Sequence, residues 1–242
     1  IQLEHPVTAW FDRCSLIPAD DRYGWDPEVI TWMQDVQLPL LRFPGGNFVS
    51  GYHWRDGVGP VDNRPILPNP AWPIIEWNDV GTDEWLQLCN LVDCEPLICV
   101  NAGDGTPEEA AQWVEYCNGG IETPMGAFRA ANGRVQPYNV KRWEIGNELY
   151  GTWQIGHAAA DAYAERYLTF REAMLSVDPD IHIIANGHDA AWNRDLVSHA
   201  GEAITSLSVH TLVGNHIPAE SDPEAVYREY MGFAAAYGDH LN

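Results

Sequence analysis

Lysine is almost missing from this sequence, since Lys141 is the only one among 242 residues. Lysine and arginine together number 13, against 35 aspartate and glutamate residues, and the formal net charge is −22 at pH 7. Proteins bind nucleic acid and anionic membranes through basic patches, so this charge excludes a general affinity for either partner. An uncharged ligand, such as a neutral sugar, fits the charge better than a phosphorylated one.

The sequence also lacks paired cysteines and metal-ligand motifs. Its five cysteines form no C-x-x-C pair and no zinc-like spacing with histidine, and an odd number cannot all join in disulfides. The histidines show no H-E-x-x-H pattern, so we expect neither a metal site nor a cofactor. We expect buried free thiols at the five positions, which are Cys14, Cys89, Cys94, Cys99 and Cys117.

Long apolar runs are absent as well, so we expect no membrane-spanning helix. No signal-peptide pattern stands at the start, but the sequence opens on Ile1 rather than on methionine, so the compartment stays open between cytoplasmic and secreted. No glycine-rich phosphate loop follows the first recognisable strand, which argues against a nucleotide-binding fold. Ser50 and Ser208 lack the nucleophile-elbow pattern of the serine hydrolases.

What the sequence does contain is a regular alternation of short apolar runs and longer amphipathic segments. The apolar runs predict strands at 39–43, 96–102, 142–147, 181–186 and 206–211. The amphipathic segments predict helices at about 26–37, 82–93, 106–117, 157–177, 191–200 and 222–237. Two stretches with little periodicity, 45–79 and 118–138, are predicted as long loops, and the aromatic residues of the first favour a functional role for it.

Polar side chains stand at the C-terminal ends of the predicted strands. They are Arg42, Asn101, Asn147 with Glu148, Asn186 and His210. Nearly continuous apolar strands that alternate with helices indicate a parallel sheet buried on both faces. A doubly wound sheet would gather polar strand ends at one switch point, whereas in a barrel they recur around the rim that carries the active site. We therefore predict an α/β fold of the (β/α)8 TIM-barrel type.

Glu148 is the strongest candidate for chemistry. It follows an apolar strand in RWEIGNELYGTWQIGH, and Trp143, Tyr150 and Trp153 stand around it in sequence. Aromatic neighbours that exclude water favour the protonated form of a carboxyl group, which is the form that a glycosidase's general acid needs. A salt bridge, or a cap for the helix predicted near residue 157, is the alternative role for this carboxylate.

Three more residues are candidates on weaker grounds. Arg42 precedes a Pro-Gly-Gly turn, where it would orient a carboxylate across the barrel mouth or form a purely structural ion pair. Asn47 lies just beyond this turn and is a candidate ligand contact. His210 follows an apolar strand, where a buried core histidine is more common than a site residue.

These segments resemble glycoside hydrolase family 51, the α-L-arabinofuranosidases, which are retaining glycosidases built on a barrel. The resemblance rests on LRFPGGNFVSGYHWRDGVGP, WNDVGTDEW, VNAGDGTPEEAAQWVEYCN and WEIGNELYGTWQIGH in that order, and it runs from about Leu3 to His210. It implies release of terminal α-L-arabinofuranosyl residues from plant-type polysaccharides such as arabinan or arabinoxylan. An arabinose-containing oligo- or polysaccharide would be the partner.

The resemblance also implies roles for individual residues. It places the acid/base glutamate, at the end of the family's fourth barrel strand, on Glu148, and the sugar-binding asparagine beside it on Asn147. The other sugar-binding residues that it implies are Glu4 at the end of the first strand, Arg42 and Asn47 around the Pro-Gly-Gly turn, Trp72 in the long loop, and His210 at the sixth strand.

Two departures from the family pattern lie near the end of the chain. The family has a tyrosine two residues after the sixth-strand histidine, and here that position is Leu212. The family's nucleophilic glutamate ends strand seven, whereas only 32 residues follow His210 and they predict a loop and one helix. We therefore expect 1–242 to be a partial barrel of about strands one to six, without the nucleophile and without the family's accessory β-domain. The rest of a longer gene product, a second copy or a complementing chain would supply what is missing.

Two alternatives stay open at this stage. Family 51 belongs to a large clan of retaining barrel glycosidases in which the Asn-Glu pair of strand four is widely shared, so a β-xylosidase or an endo-glucanase of that clan is one alternative. A non-catalytic carbohydrate-binding protein that has lost its nucleophile is the other.

Overall fold

The computed structural model describes residue 8, residues 14–210 and residues 217–240. The chain divides into two compact units, residues 1–208 and residues 209–242, and each is described by itself. Among the described residues, no helix is both long enough and apolar enough to cross a bilayer.

The strands of the first unit form one main sheet and one hairpin. They are β1 (Leu40–Phe43), β2 (Leu67–Pro68), β3 (Ile75–Glu76), β4 (Glu95–Val100), β5 (Arg142–Ile145), β6 (His182–Asn186) and β7 (Leu207–Ser208). The main sheet has the order β1-β4-β5-β6-β7, and every neighbouring pair in it is parallel. These five strands are the predicted ones and form a half-barrel, which confirms a partial (β/α)8 barrel.

Among the described residues, six helices lie in the first unit and one lies in the second. They are α1 (Pro27–Asp35), α2 (Thr82–Val92), α3 (Pro107–Asn118), α4 (Pro124–Ala131), α5 (Ala160–Val177), α6 (Ala190–Ala200) and, in the second unit, α7 (Pro223–His240). Six of them confirm the predicted helices. Helix α4 and the β2–β3 hairpin lie in stretches that we predicted as loops, so those two predictions were wrong.

The helix starts follow the capping rules that the sequence suggested. The carboxylate of Asp26 accepts from the N–H of Glu28 at 2.8 Å, and the hydroxyl of Thr106 accepts from that of Glu109 at 3.1 Å. In both helices proline occupies the first position, where no N–H is needed. The same Thr-Pro start opens α4 at Thr123, so the short helix also had a signal in the sequence.

Alternation along the strands separates an apolar face from a polar one. Ile98, Trp143 and Ile145 pack into the main core cluster together with the helices. Because side chains alternate along a strand, Cys99 and Glu144 face the opposite side, the inside of the half-barrel. The polar groups that build the site described below therefore lie on the inner face and at its C-terminal rim.

The tryptophans divide between core and surface. The buried indoles stack or meet edge to face, with Trp54 and Trp113 parallel at 6.1 Å and Trp113 and Trp143 nearly perpendicular at 6.1 Å. Each of the three donates its N–H to an oxygen inside the protein. Trp72 and Trp153, by contrast, are largely exposed. Tryptophan therefore serves the core at some positions and remains open to solvent at others.

The five cysteines are all free thiols. Cys89, Cys99 and Cys117 are buried, as predicted, but Cys94 is only half-buried and Cys14 is exposed, so the prediction of burial was wrong for Cys14.

Arg129, in the last turn of α4, is a fully buried cation. Its guanidinium donates to backbone carbonyls at 2.7–3.2 Å, which ties the end of α3 to the turn that follows α4. The acceptors are the carbonyl oxygens of Tyr116, Gly119, Arg134 and Val135.

We expect Arg129→Met to lower the free energy of unfolding by about 3 kcal/mol, because it leaves one buried and three partly buried carbonyls without their donor. Urea denaturation of the chain measures this change. Arg194→Met, at an exposed position of α6, is the matched control and should change the free energy by less than about 0.5 kcal/mol. Equal effects of the two substitutions would contradict the assigned role.

His53 gives the half-barrel a pH-dependent contact. Its Nδ1 lies 2.9 Å from Oε1 of Glu109, and its Nε2 lies 3.8 Å from Oδ1 of Asp104. Burial by itself lowers the pKa of His53, but the hydrogen bond to Glu109 and the charges of Glu109, Asp104 and Asp56 outweigh burial, and the pKa lies above its ordinary value.

A raised folded-state pKa means that protonated His53 stabilises the fold. This contribution is complete below the ordinary pKa of 6.5 and is lost as the pH rises through the folded-state pKa. We expect His53→Gln to lower the free energy of unfolding at about pH 6 more than at about pH 9, by a small amount because the imidazole is half exposed. Urea denaturation at both pH values measures the difference, and a loss that does not vary with pH would refute the contact.

Candidate active site

Glu148 lies in a tight turn directly after β5. Gly146 has φ +80° and Glu148 has φ +48°, a left-handed conformation that is uncommon for glutamate. The carbonyl of Glu148 accepts from the N–H of Gly151 at 2.7 Å, and the N–H of Leu149 donates to Oδ1 of Asn186 at 3.0 Å. Glu148 is half-buried. The backbone that follows it is fixed by two hydrogen bonds, one within the turn and one to β6.

Aromatic rings surround this turn. Tyr150 stacks on the imidazole of His188 with ring centroids 3.7 Å apart, and it meets Trp153 and Trp192 edge-on at 6.3 and 5.9 Å. Burial raises the pKa of Tyr150 to about 12, and the negative charge of Glu148 contributes to the rise. Trp153 is 62% exposed and offers an open ring face beside the turn.

Two sequence interpretations of this segment need correction. Trp143 is wholly buried against Trp113 in the core, so it does not belong to the surroundings of Glu148. The helix-cap alternative for Glu148 is also wrong, because α5 begins at Ala160 with Ala159 as its capping residue and without a side-chain cap.

A buried polar network crosses the inner face of the sheet. Nε of Arg42 on β1 donates to the carboxylate of Glu144 on β5, whose other oxygen accepts from the hydroxyl of Ser208 on β7. Glu144 is only 1% exposed. Nη2 of Arg42 also donates to Oδ1 of Asn147 at 3.1 Å and to Sγ of Cys99 at 3.3 Å. Arg42 therefore forms an inner-face ion pair with Glu144 and at the same time fixes the side chain of Asn147.

Asn147 presents a donor with a fixed direction. It is 1% exposed, and its Oδ1 is occupied by Arg42. A guanidinium only donates, so the orientation of the amide is determined and Nδ2 must face the other way. Among the described residues Nδ2 has no hydrogen-bond acceptor. A buried N–H without an acceptor is costly, and a hydroxyl oxygen of a ligand would satisfy it.

The loops after β1 and β5 meet at Gln154. This buried side chain donates through Nε2 to Oδ1 of Asn47 at 2.5 Å and accepts from the hydroxyl of Ser50 at 2.9 Å. Trp72, which is 45% exposed, lies over the Pro-Gly-Gly turn, since a Cβ built on Gly46 would stand 3.5 Å from its ring. Gln154 thus joins the loop that carries Asn47 and Trp72 to the loop that follows Glu148.

Five of the seven residues predicted for the site are among the described residues of the first unit, and contacts link them at one rim. They are Arg42, Asn47, Trp72, Asn147 and Glu148. Glu4 lies outside the described residues. His210 belongs to the second unit, two residues beyond β7, so its relation to the other five is not described.

The described residues were also considered as metal ligands and as thiol nucleophiles. Among the described residues, no group of three or more histidine, cysteine, aspartate or glutamate side chains could hold a metal ion. Burial raises the pKa of the Cys99 thiol, which therefore stays protonated and is not a nucleophile at neutral pH.

Sequence reasoning assigned no role to three buried residues that shape the site, Glu144, Gln154 and Asn186. Glu144 had a signal, because a charged residue in the middle of an apolar strand must be paired. Asn186 was noted at a strand end without a role. Gln154 had no signal, because its partner Asn47 is 107 residues away in the sequence.

Comparisons with known proteins agree on one family. The model of the alpha-L-arabinofuranosidase 1 domain matches residues 32–221. Alpha-L-arabinofuranosidase C of Emericella nidulans is 37% identical over 227 residues, which cover 87% of this chain and 45% of that protein. The intracellular exo-alpha-(1->5)-L-arabinofuranosidase 1 of Bacillus subtilis is 38% identical over 205 residues, which cover 82% of this chain and 41% of that protein.

Solved structures agree with these relatives. The alpha-L-arabinofuranosidase of Thermotoga maritima, solved as an arabinose complex, is 41% identical with a TM-score of 0.82, over 92% of this chain and 45% of that one. The GH51 arabinofuranosidase of Xanthomonas axonopodis pv. citri is 29% identical with a TM-score of 0.84, over 93% of this chain and 47% of that one. The chain thus spans somewhat less than half the length of these relatives. Since the family model covers most of the chain and the fold agrees, the chain belongs to the α-L-arabinofuranosidases of glycoside hydrolase family 51.

Proposed function

We propose that this chain forms part of an α-L-arabinofuranosidase that releases terminal α-L-arabinofuranosyl residues from plant-type polysaccharides. The observation that carries the proposal is the pairing of Glu148, fixed at the rim beside exposed Trp153, with the buried Nδ2 of Asn147, for which the described part of the chain provides no acceptor. Glycoside hydrolysis uses one carboxyl group as the proton donor, and hydrogen bonds to a sugar hydroxyl that strengthen in the transition state assist it. Membership of the family makes arabinofuranose the sugar of choice.

Glu148 acts as the acid/base in this proposal. In a retaining glycosidase a second carboxylate, about 5 Å away, attacks the anomeric carbon while the acid gives its proton to the departing glycosidic oxygen. The resulting carboxylate of Glu148 then takes a proton from water as that water displaces the enzyme from the sugar. The attacking carboxylate is not among the residues of this chain in the proposal, because Glu220, Glu224 and Glu229 follow no strand end among the described residues.

The neighbours of Glu148 bind and orient the sugar. Arg42 and Glu144 hold Asn147 so that its N–H2 meets a hydroxyl next to the reacting carbon. Gln154 holds Asn47 in a comparable way on the other loop. The exposed faces of Trp72 and Trp153 are apolar platforms for the C–H face of a sugar ring.

Glu4 and His210 are further sugar-binding residues in the proposal, on the strength of the family resemblance alone. The remaining barrel strands and the nucleophile come from the rest of a longer product, from a second copy or from a complementing chain.

We expect residues 1–242 alone to hydrolyse nitrophenyl α-L-arabinofuranoside very poorly, because this chain lacks the nucleophile. The measured rate should be close to that of the same chain with Glu148→Ala. Robust hydrolysis that Glu148→Ala abolishes would overturn the missing-nucleophile proposal and would require a nucleophile within these residues. A panel of other chromogenic glycosides, tested on the full-length protein, separates this function from β-xylosidase and endo-glucanase activity.

In the full-length protein we expect Glu148→Ala to affect substrates according to their leaving groups. Loss of the acid should lower kcat/KM for arabinobiose by roughly 10²- to 10⁴-fold, because a sugar leaves poorly without a proton. A dinitrophenyl arabinofuranoside, whose phenolate leaves without protonation, should lose much less in its first chemical step.

Steady-state and burst kinetics on both substrates measure this contrast. Glu165→Ala, at an exposed position of α5, is the matched control and should leave both substrates unaffected. A loss from Glu148→Ala that is the same for both leaving groups would show that Glu148 is not the proton donor.

A further inference from the structure

The conformation of Glu148 is one that glutamate does not adopt readily. Its φ of +48° places the backbone in the left-handed region, which non-glycine residues occupy at a cost. Such a conformation persists at a functional position only where its surroundings impose it. The contacts that impose it here are therefore part of what aims the carboxylate.

One of these contacts comes from the next strand of the sheet. The side-chain Oδ1 of Asn186, the last residue of β6, accepts from the N–H of Leu149 at 3.0 Å. Both residues are completely buried, so water cannot take over as the acceptor. The bond acts on the peptide group that joins Glu148 to Leu149, and its loss would free that peptide to rotate.

Asn186 is itself held in place by Tyr163 of α5. The Tyr163 hydroxyl donates to the carbonyl of Ile145 at 2.7 Å and accepts from the N–H of Asn186 at 2.6 Å. The β5–β6 ladder ends at the pair Ile145 and Ala185, so this hydroxyl bridges the two strands just where their own pairing stops. Tyr163 thereby sets the position of Asn186 relative to the end of β5.

We propose that Asn186 is a positioning residue for Glu148, acting through its hydrogen bond to the Leu149 N–H. The inference rests on the proposed acid/base role of Glu148. Asparagine suits the position because its oxygen serves Leu149 while its Nδ2 lies 3.4 Å from the carbonyl of Gly187. Leucine would fill the same volume without an acceptor, and aspartate would keep an oxygen there in either protonation state.

The test uses the full-length protein with two substitutions of similar shape, Asn186→Leu and Asn186→Asp. We expect Asn186→Leu to lower kcat/KM for arabinobiose by about 10-fold or more, because a misplaced acid transfers its proton poorly. For the dinitrophenyl arabinofuranoside the loss should be about twofold at most, since its leaving group needs no proton. Asn186→Asp should restore most of the activity on arabinobiose.

The outcomes separate the possible failures. A loss from Asn186→Leu that is equal for both leaving groups, or no recovery in a folded Asn186→Asp protein, would overturn the inference. If Glu148→Ala itself shows no dependence on the leaving group, the proposed function fails instead. If Asn186→Leu does not fold, Tyr163→Phe is the variant to test. It removes the hydroxyl that binds the Asn186 N–H but keeps the asparagine side chain. A folded Tyr163→Phe protein with an equal loss on both substrates would also overturn it.

Discussion

The site depends on the ion pair between Arg42 and Glu144. These two residues lie on β1 and β5, with β4 between them, so the pair spans the inner face of the half-barrel. A buried carboxylate is stable only with a partner and with its remaining lone pairs bonded, and here Arg42 and Ser208 meet both needs. Because the same guanidinium also binds Asn147, the ion pair both balances the charge of the inner face and sets the orientation of the Asn147 amide, which is proposed to bind sugar.

The sequence predicted the elements of the fold better than the contacts of the site. Continuous apolar runs and proline-led helix starts are local signals, so the five strands of the main sheet and six helices could be located. Helix α4 was not predicted, because its eight residues lie in a glycine-rich stretch that shows no extended amphipathic periodicity. The residues at strand ends were visible, but the bond from Gln154 to Asn47 and the left-handed turn at Glu148 depend on how distant loops pack.

The residues proposed for proton transfer and sugar binding lie on few adjacent elements. The turn after β5 carries Asn147 and Glu148, and β6 holds that turn through a side chain rather than through strand pairing. The loop after β1 is joined to it by Gln154. The half-barrel therefore holds the residues proposed for one side of the reaction in fixed contact with their neighbours.

The amides of Asn47 and Asn147 have one feature in common: in each, the oxygen already accepts a bond from the protein. Each therefore turns an N–H2 group, and not a carbonyl, away from its protein partner. A hydroxyl that meets such an amide must offer its lone pair and give its own hydrogen to something else. A sugar carrying fluorine in place of that hydroxyl can still accept, weakly, whereas one carrying an amino group, charged at neutral pH, cannot accept at all.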